Sequence, residues 1–244
     1  MRGTILIFKK ELVQMFKNTS LLAHLIFILA FSVAFPQVFA HSMISRESIT
    51  LEKVLALIEI GKYYPLMMGV LFAAILAGES FAGERERKTI EVLAATPLGE
   101  RSIFLGKFLF SVFVALMLEL PTFASFTQAI YLLIKAGGFA IDFMSSGYLL
   151  TCTALSWSLT LLVAMLVVIA SLYVRTKASA TASSFSVLLP IALLISGAAL
   201  FNITVDNTLL ISISLIAIAI SSAMLLLLFR HMDKELMILG LVRG

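Results

Sequence analysis

Apolar residues in this chain come in blocks of about twenty, separated by short polar stretches. A helix rising 1.5 Å per residue needs a block of that length to cross roughly 30 Å of hydrocarbon. The blocks predict six spans, at about 21–40, 63–82, 103–134, 148–174, 185–201 and 208–229. The third exceeds what a bilayer needs, so it is expected to tilt, to bend near Pro121, or to project beyond the membrane at its start. On the second span, Gly69, Ala73 and Ala77 form a ridge of small residues suited to close helix packing, with the partner open between this chain and a second copy.

The polar stretches predict less. In the first twenty residues Ile5, Phe8, Leu12 and Phe16 fall at helical spacing, with Lys9, Lys10 and Lys17 elsewhere. This reads as a helix over 1–20 lying on the membrane surface. The competing reading is a signal peptide, because Val38 and Ala40 suit a cleavage site. A leading segment of that length is long for one, and losing the first span would break the even span count. Between the first two spans, Leu51, Val54, Leu55 and Ile58 predict a short surface helix. There is no tandem repeat and no linker long enough to divide the chain. Residues 1–244 are read as a single transmembrane domain.

Composition agrees. Hydrophobic residues make up 61% of the chain and its mean hydropathy is +1.07, beyond what a soluble core requires. The net charge of +4 is spread over several loops and is not the footprint of nucleic-acid binding. Its distribution is informative. Of the 18 Lys and Arg residues, all but Arg46, Lys53, Lys62 and Lys135 fall on the side holding both termini and the loop after the second span. That side is therefore expected to be cytoplasmic in a multi-pass protein of the cell membrane.

Several chemistries lack their residues. Cys152 is the only cysteine, so no intrachain disulfide can form. His24, His41 and His231 lie far apart without ligand-spaced companions, so no metal site is expected. No G-x-x-x-x-G-K-[ST] occurs; the nearest fragment, Gly83 to Thr89, is charged where a phosphate cradle needs bare backbone. No H-E-x-x-H or G-x-S-x-G is present either.

The densest charge lies between the second and third spans, in GERERKTIEVLAATPLGERSIFLGK from Gly83 to Lys107. The pattern predicts a helix from Glu84 to about Ala95, with Ile90, Leu93 and Ala94 on one face. Thr96-Pro97 then reads as an N-cap followed by proline in the first turn, starting a helix that runs through Leu98 and Arg101 into the third span. The carboxylates of Glu84 and Glu86 are expected in water. A loop that only enforced topology would need its Arg and Lys but not the interleaved Glu residues, which contribute little to orientation.

Gly83-Glu84-Arg85-Glu86, then Thr89, Glu91, Leu93 and Thr96-Pro97-Leu98, with Gly106-Lys107 further on, resembles the signature loop of ABC-2 type permeases, the membrane subunits of a class of ATP-binding-cassette exporters. The family pattern is roughly G-E-[RK]-E-x-x-T-x-E-x-L-x-x-x-P. The resemblance implies an all-α integral membrane protein of the ABC-2 exporter fold: six transmembrane helices, an N-terminal interfacial helix, and a cytoplasmic coupling region over 84–101 that docks on an ATPase. It implies ATPase-coupling roles for Gly83, Glu84, Arg85, Glu86, Thr89, Glu91, Leu93 and Pro97. It further implies a non-catalytic transport subunit that holds no cofactor. ATP and Mg would be bound by two copies of a partner ATPase. A second permease copy or a paralogue would complete a twelve-helix unit in the lipid bilayer.

Within the spans, Glu119 lies about midway along the third, beside Pro121. A carboxylate at that depth costs ~2.5–3.5 kcal/mol on insertion scales (the value for Asp), so it is expected to face protein or water. It is read either as a pathway residue or as a structural acid bonded to a neighbouring helix. Gln128, about two and a half turns on, is read either as sharing its face, a second pathway candidate, or as helix–helix glue. The rival to a transporter subunit is a channel or lipid-handling protein that docks a soluble partner through the same loop. A membrane enzyme comes third, for want of clustered His, Asp or Cys.

Overall fold

The computed structural model describes residues 2–46, 49–143, 145–174 and 207–231, together with Thr176 and Ser179. The predicted fifth span, 185–201, lies outside the described residues. Those described form eight helices and no strand: α1 (Arg2–Lys17), α2 (Thr19–Arg46), α3 (Leu51–Gly61), α4 (Tyr64–Glu86), α5 (Ile90–Ala94), α6 (Glu100–Gly137), α7 (Ser146–Tyr173) and α8 (Asn207–His231). Among the described residues, five segments are long and apolar enough to cross a membrane: Thr19–Ser45, Leu51–Glu86, Glu100–Gly137, Gly147–Tyr173 and Asn207–Leu228.

Local chemistry sets the boundaries. Asn18 is the single residue between α1 and α2, and its Oδ1 accepts from the Leu21 amide at 3.3 Å, a polar cap on the first turn of α2. Pro65 occupies the first turn of α4, where its missing N–H costs nothing. Ser145 caps α7 by accepting from the Tyr148 amide, and Gly138 ends α6 at φ 67, the left-handed conformation glycine adopts without strain. Helix α6 runs unbroken through Pro121 for 38 residues. At 1.5 Å per residue it is about 57 Å long, so it outreaches the hydrocarbon even when tilted.

Helix α4 is the centre of the bundle. It packs on both α6 and α7; α2 and α1 lie against α6, and α8 against α7. Apolar helices gain no hydrophobic energy from one another in lipid, so close packing has to come from small side chains and hydrogen bonds. Gly69, Ala73 and Ala77 are all buried, so the small-residue ridge finds its partners within this chain. The hydrogen bonds come where prolines break the helix ladder. Pro36 inside α2 has no N–H to offer Ser32, and the Tyr64 hydroxyl of α4 donates to that carbonyl at 2.6 Å. One residue on, the Ser125 hydroxyl of α6 donates to the Val33 carbonyl at 2.5 Å. Gln37 Nε2 donates back to the Ser125 carbonyl at 2.8 Å. A defect in α2 thus becomes its tie to α4 and α6.

Two expected stripes are shifted. On α1 the buried face is Ile7, Glu11 and Met15; Ile5 and Phe16 are exposed, and Phe8 and Leu12 are half-buried. Hydrophobic spacing picked the neighbouring face because it could not count a paired Glu11 as an inward residue. On α3, Val54 and Ile58 are buried while Leu51 and Leu55 face outward. Val54 and Ile58 join Ala129, Ile130, Leu133 and Tyr148 in a second apolar cluster, at the end of the bundle away from α1.

Candidate functional site

The charged loop differs from its sequence reading in three respects. The helix expected to begin at Glu84 is instead the last turn of α4, which continues through Glu86. The chain then reverses. The Thr89 amide donates to the Glu84 carbonyl at 2.9 Å and the Lys88 amide to the Arg85 carbonyl at 3.0 Å, with Lys88 at φ 56. This pair of bonds around a left-handed residue is a Schellman-type helix stop. The next helix, α5, has only five residues. Thr96-Pro97 does not cap α6, which begins at Glu100 behind Gly99; the Thr96 hydroxyl donates instead to the Leu93 carbonyl at 2.7 Å. Local propensity placed the cap three residues early.

The third difference concerns water. Glu84 is 1% exposed. Its Oε1 pairs with Lys10 of α1, and lies 3.2 Å from Lys107 Nζ of α6. Lys107 is fully buried; it donates to Glu11 Oε1 at 2.7 Å and to the Ser80 carbonyl at 3.0 Å, and sits 5.2 Å from the centre of the Phe81 ring. Two cations and two carboxylates from α1, α4 and α6 thus meet at one point with no net charge. Burying any one of them unpaired would cost several kcal/mol. Gly106 makes the meeting possible, because a Cβ there would come within 2.6 Å of Ile7 Cβ and 2.9 Å of the Thr4 carbonyl. Arg85 is also structural in geometry: its Nη1 and Nη2 donate to the carbonyls of Val174 at 2.5 Å and Leu172 at 2.7 Å, satisfying the end of α7.

The remaining loop residues sort by exposure. Gly83 and Leu93 are buried, Leu93 and Ile90 anchoring α5 from beneath. Glu86, Lys88, Thr89 and Pro97 are exposed, and Val92 is 69% exposed. Arg87 pairs with Glu79 at 2.6 Å. Glu91 lies on α5, its side chain outside the described ones. The loop therefore has inner charges, Glu84 and Arg85, bonded to α1, α6 and α7, and outer charges, Glu86 and Lys88, exposed at its surface.

Two of the inner set, Lys107 and Glu11, were missed as site residues. The signal for Lys107 was available: a lysine four residues inside a predicted span, between Phe104 and Phe108, must find a partner. The identity of that partner was not legible.

Glu119 is buried between α4, α6 and α7. The Ser156 hydroxyl of α7 donates to its Oε1 at 2.5 Å. Its Oε2 lies over Gly69, where an added Cβ would collide with it and come within 2.7 Å of Thr160 Oγ1. Neither of those two oxygens has a hydrogen-bond partner among the described residues. Gln128 does not share this face. Nine residues at 100° each bring it about 180° around the helix, and it is exposed.

Residues 5–229 match the family described as ABC-2 family transporter protein. The chain belongs to that family. The match covers every described helix except the first three residues of α1 and the last two of α8. ABC-2 members are multi-pass membrane subunits of transporters, generally non-catalytic, and the family implies an ABC ATPase as partner. A search of curated proteins finds no match.

Proposed function

We propose that this ABC-2 protein is the permease subunit of an exporter in the cell membrane, with both termini and the charged loop in the cytoplasm. Two copies, or one with a paralogue, form the pathway and carry two ATPases. The ATPase docks on the outer side of the loop, on Glu86, Lys88, Thr89 and Val92 with Glu91 and Pro97. Alternating charge around an exposed apolar side chain fixes register and partner choice.

The observation that carries this reading is the two-sidedness of the loop. Behind the docking face, Glu84 is bonded to α1 and α6 through Lys10 and Lys107, and Arg85 to the end of α7. A displacement of the loop on ATPase closure then moves three membrane helices together. Glu84 and Arg85 act as transmitters rather than contacts, and Gly83 and Leu93 hold the loop in place. Transport requires that the two membrane states bind the closed ATPase pair with different affinity.

The test is a joint charge reversal on the outer face, Glu86→Lys with Lys88→Glu. Co-purification of the ATPase should weaken, or ATP turnover should lose its link to export, while the permease elutes as a single folded species. Wild-type binding and export in the reversed protein would remove the docking assignment. Within the membrane, Glu119 and Gln128 are the proposed pathway residues on opposite sides of α6, Glu119 on the stronger ground of an oxygen with no hydrogen-bond partner among the described residues. Glu119→Gln keeps shape and removes charge. Export should fall at unchanged expression, and normal export across pH would leave Glu119 as a structural acid.

A further inference from the structure

Helix α1 presents two unlike faces. Ile7, Glu11 and Met15 are buried against the bundle, and the Thr4 carbonyl lies against Gly106 of α6. The opposite face carries four exposed apolar side chains, Ile5, Leu6, Val13 and Phe16, and four exposed basic ones, Arg2, Lys9, Lys10 and Lys17. The only acid in α1 is Glu11, and it is turned inward onto Lys107. Between these outward side chains lies a shallow hollow, open to the surroundings and bordered by Leu6, Lys9, Lys10, Val13, Gln14 and Lys17.

A helix facing only water has no use for four large apolar side chains on that face, and one buried in hydrocarbon could not keep four cations there. The combination suits the boundary between the two. The connection places it there. One residue, Asn18, separates α1 from the apolar helix α2, so α1 cannot leave the level at which α2 enters the bilayer. At that level the abundant anion is the phosphodiester of a lipid headgroup.

We propose that this outward face of α1 is a binding site for an anionic phospholipid. Lys9, Lys10 and Lys17, with the Gln14 amide, take the headgroup phosphate, and Leu6 and Val13 lie against the start of the acyl chains. Lys10 also pairs with Glu84, so the bound headgroup sits one side chain from the buried charge cluster. The inference rests on α2 crossing a membrane, and not on the ATPase reading.

The experiment uses the full chain in phosphatidylcholine nanodiscs containing a trace of photoactivatable phosphatidylglycerol, or of phosphatidylcholine with the same label and acyl chains. Cross-links are mapped by peptide. The phosphatidylglycerol probe should label α1 peptides several-fold more than the phosphatidylcholine probe, and the excess should shrink as salt is raised. Lys9→Gln with Lys17→Gln should bring it down to the phosphatidylcholine level. Lys9→Arg with Lys17→Arg should keep it, which separates lost charge from lost fold; Lys10 is left intact because of its buried pairing. Equal labelling by the two probes, or an undiminished excess in the Gln variant, would overturn the proposal. So would displacement of the lipid by free inorganic phosphate, which would assign the face to a soluble anion.

Discussion

At the residue scale, Lys107 decides most. It lies fully buried among Phe81, Phe104 and Phe108, and it is the buried one of the two cations that both Glu11 and Glu84 approach. Removing one partner of a buried pair leaves an uncompensated charge, at a cost of roughly 3–5 kcal/mol. Lys107→Met should therefore lower the thermal stability of the detergent-solubilised protein strongly. Adding Glu84→Gln should restore part of the loss, because Lys10 and Glu11 would then be left as one cation and one anion. A thermal-shift comparison of the two variants and Glu84→Gln alone checks this. A loss in the double variant equal to the sum of the losses in Lys107→Met and Glu84→Gln alone would mean that Glu84 and Lys107 are not coupled.

At the scale of elements, the contact of α4 with α6 and α7 depends on the absence of one methyl group. Gly69 lies beneath Glu119 Oε2 and Thr160 Oγ1, and a Cβ added there would collide with the carboxylate and come within 2.7 Å of the hydroxyl. Overpacking at such a crossing typically costs 1–3 kcal/mol. Gly69→Ala should destabilise the bundle by about that much, and Glu119→Asp, one methylene shorter, should relieve part of it. Monodispersity after graded heating measures both. An unaffected Gly69→Ala variant would show that the three helices are looser than their side chains imply. Ala73 and Ala77, one and two turns on, are fully buried and extend the same close contact.

At the scale of the whole molecule, orientation is the open quantity that the charge asymmetry addresses. Arg2, Lys9, Lys10, Lys17 and the charged loop gather at one end of the bundle; Lys53, Lys62 and Lys135 lie at the other. The positive-inside rule assigns the first end to the cytoplasm. Single cysteines at Thr50 and Asp142, in a Cys152→Ala background, should react with an impermeant thiol reagent on intact cells. Cysteines at Lys88 and Arg230 should react only after permeabilisation. The reversed pattern would invert the topology and place the loop out of reach of any ATP-driven partner. Among the five described spans, α2 and α8 are the least buried. The α2 surface includes exposed Phe27, Phe31 and Phe35, which together with Phe39 succeed one another at four-residue steps along a single face.

The sequence alone determined the class of molecule, because spanning a bilayer requires uninterrupted apolar length, and length is local information. It determined the loop as the chemically distinctive segment for the same reason: charge between two spans can be counted without knowing what either span touches. Helix existence was legible for α1 to α4, α6, α7 and α8. The helix stop at Lys88 was not, since its left-handed backbone carries no glycine to announce it. Only the tertiary structure decided which charges face water. Glu84 and Glu86 are two residues apart in one motif, yet one is buried against Lys107 and the other exposed, because about 200° of helical rotation separates them and only one side meets α1 and α6. Pairing depends on where distant helices cross, Gly106 under Ile7 and Gly69 under Glu119, and no local pattern encodes the partner on the other side of a crossing.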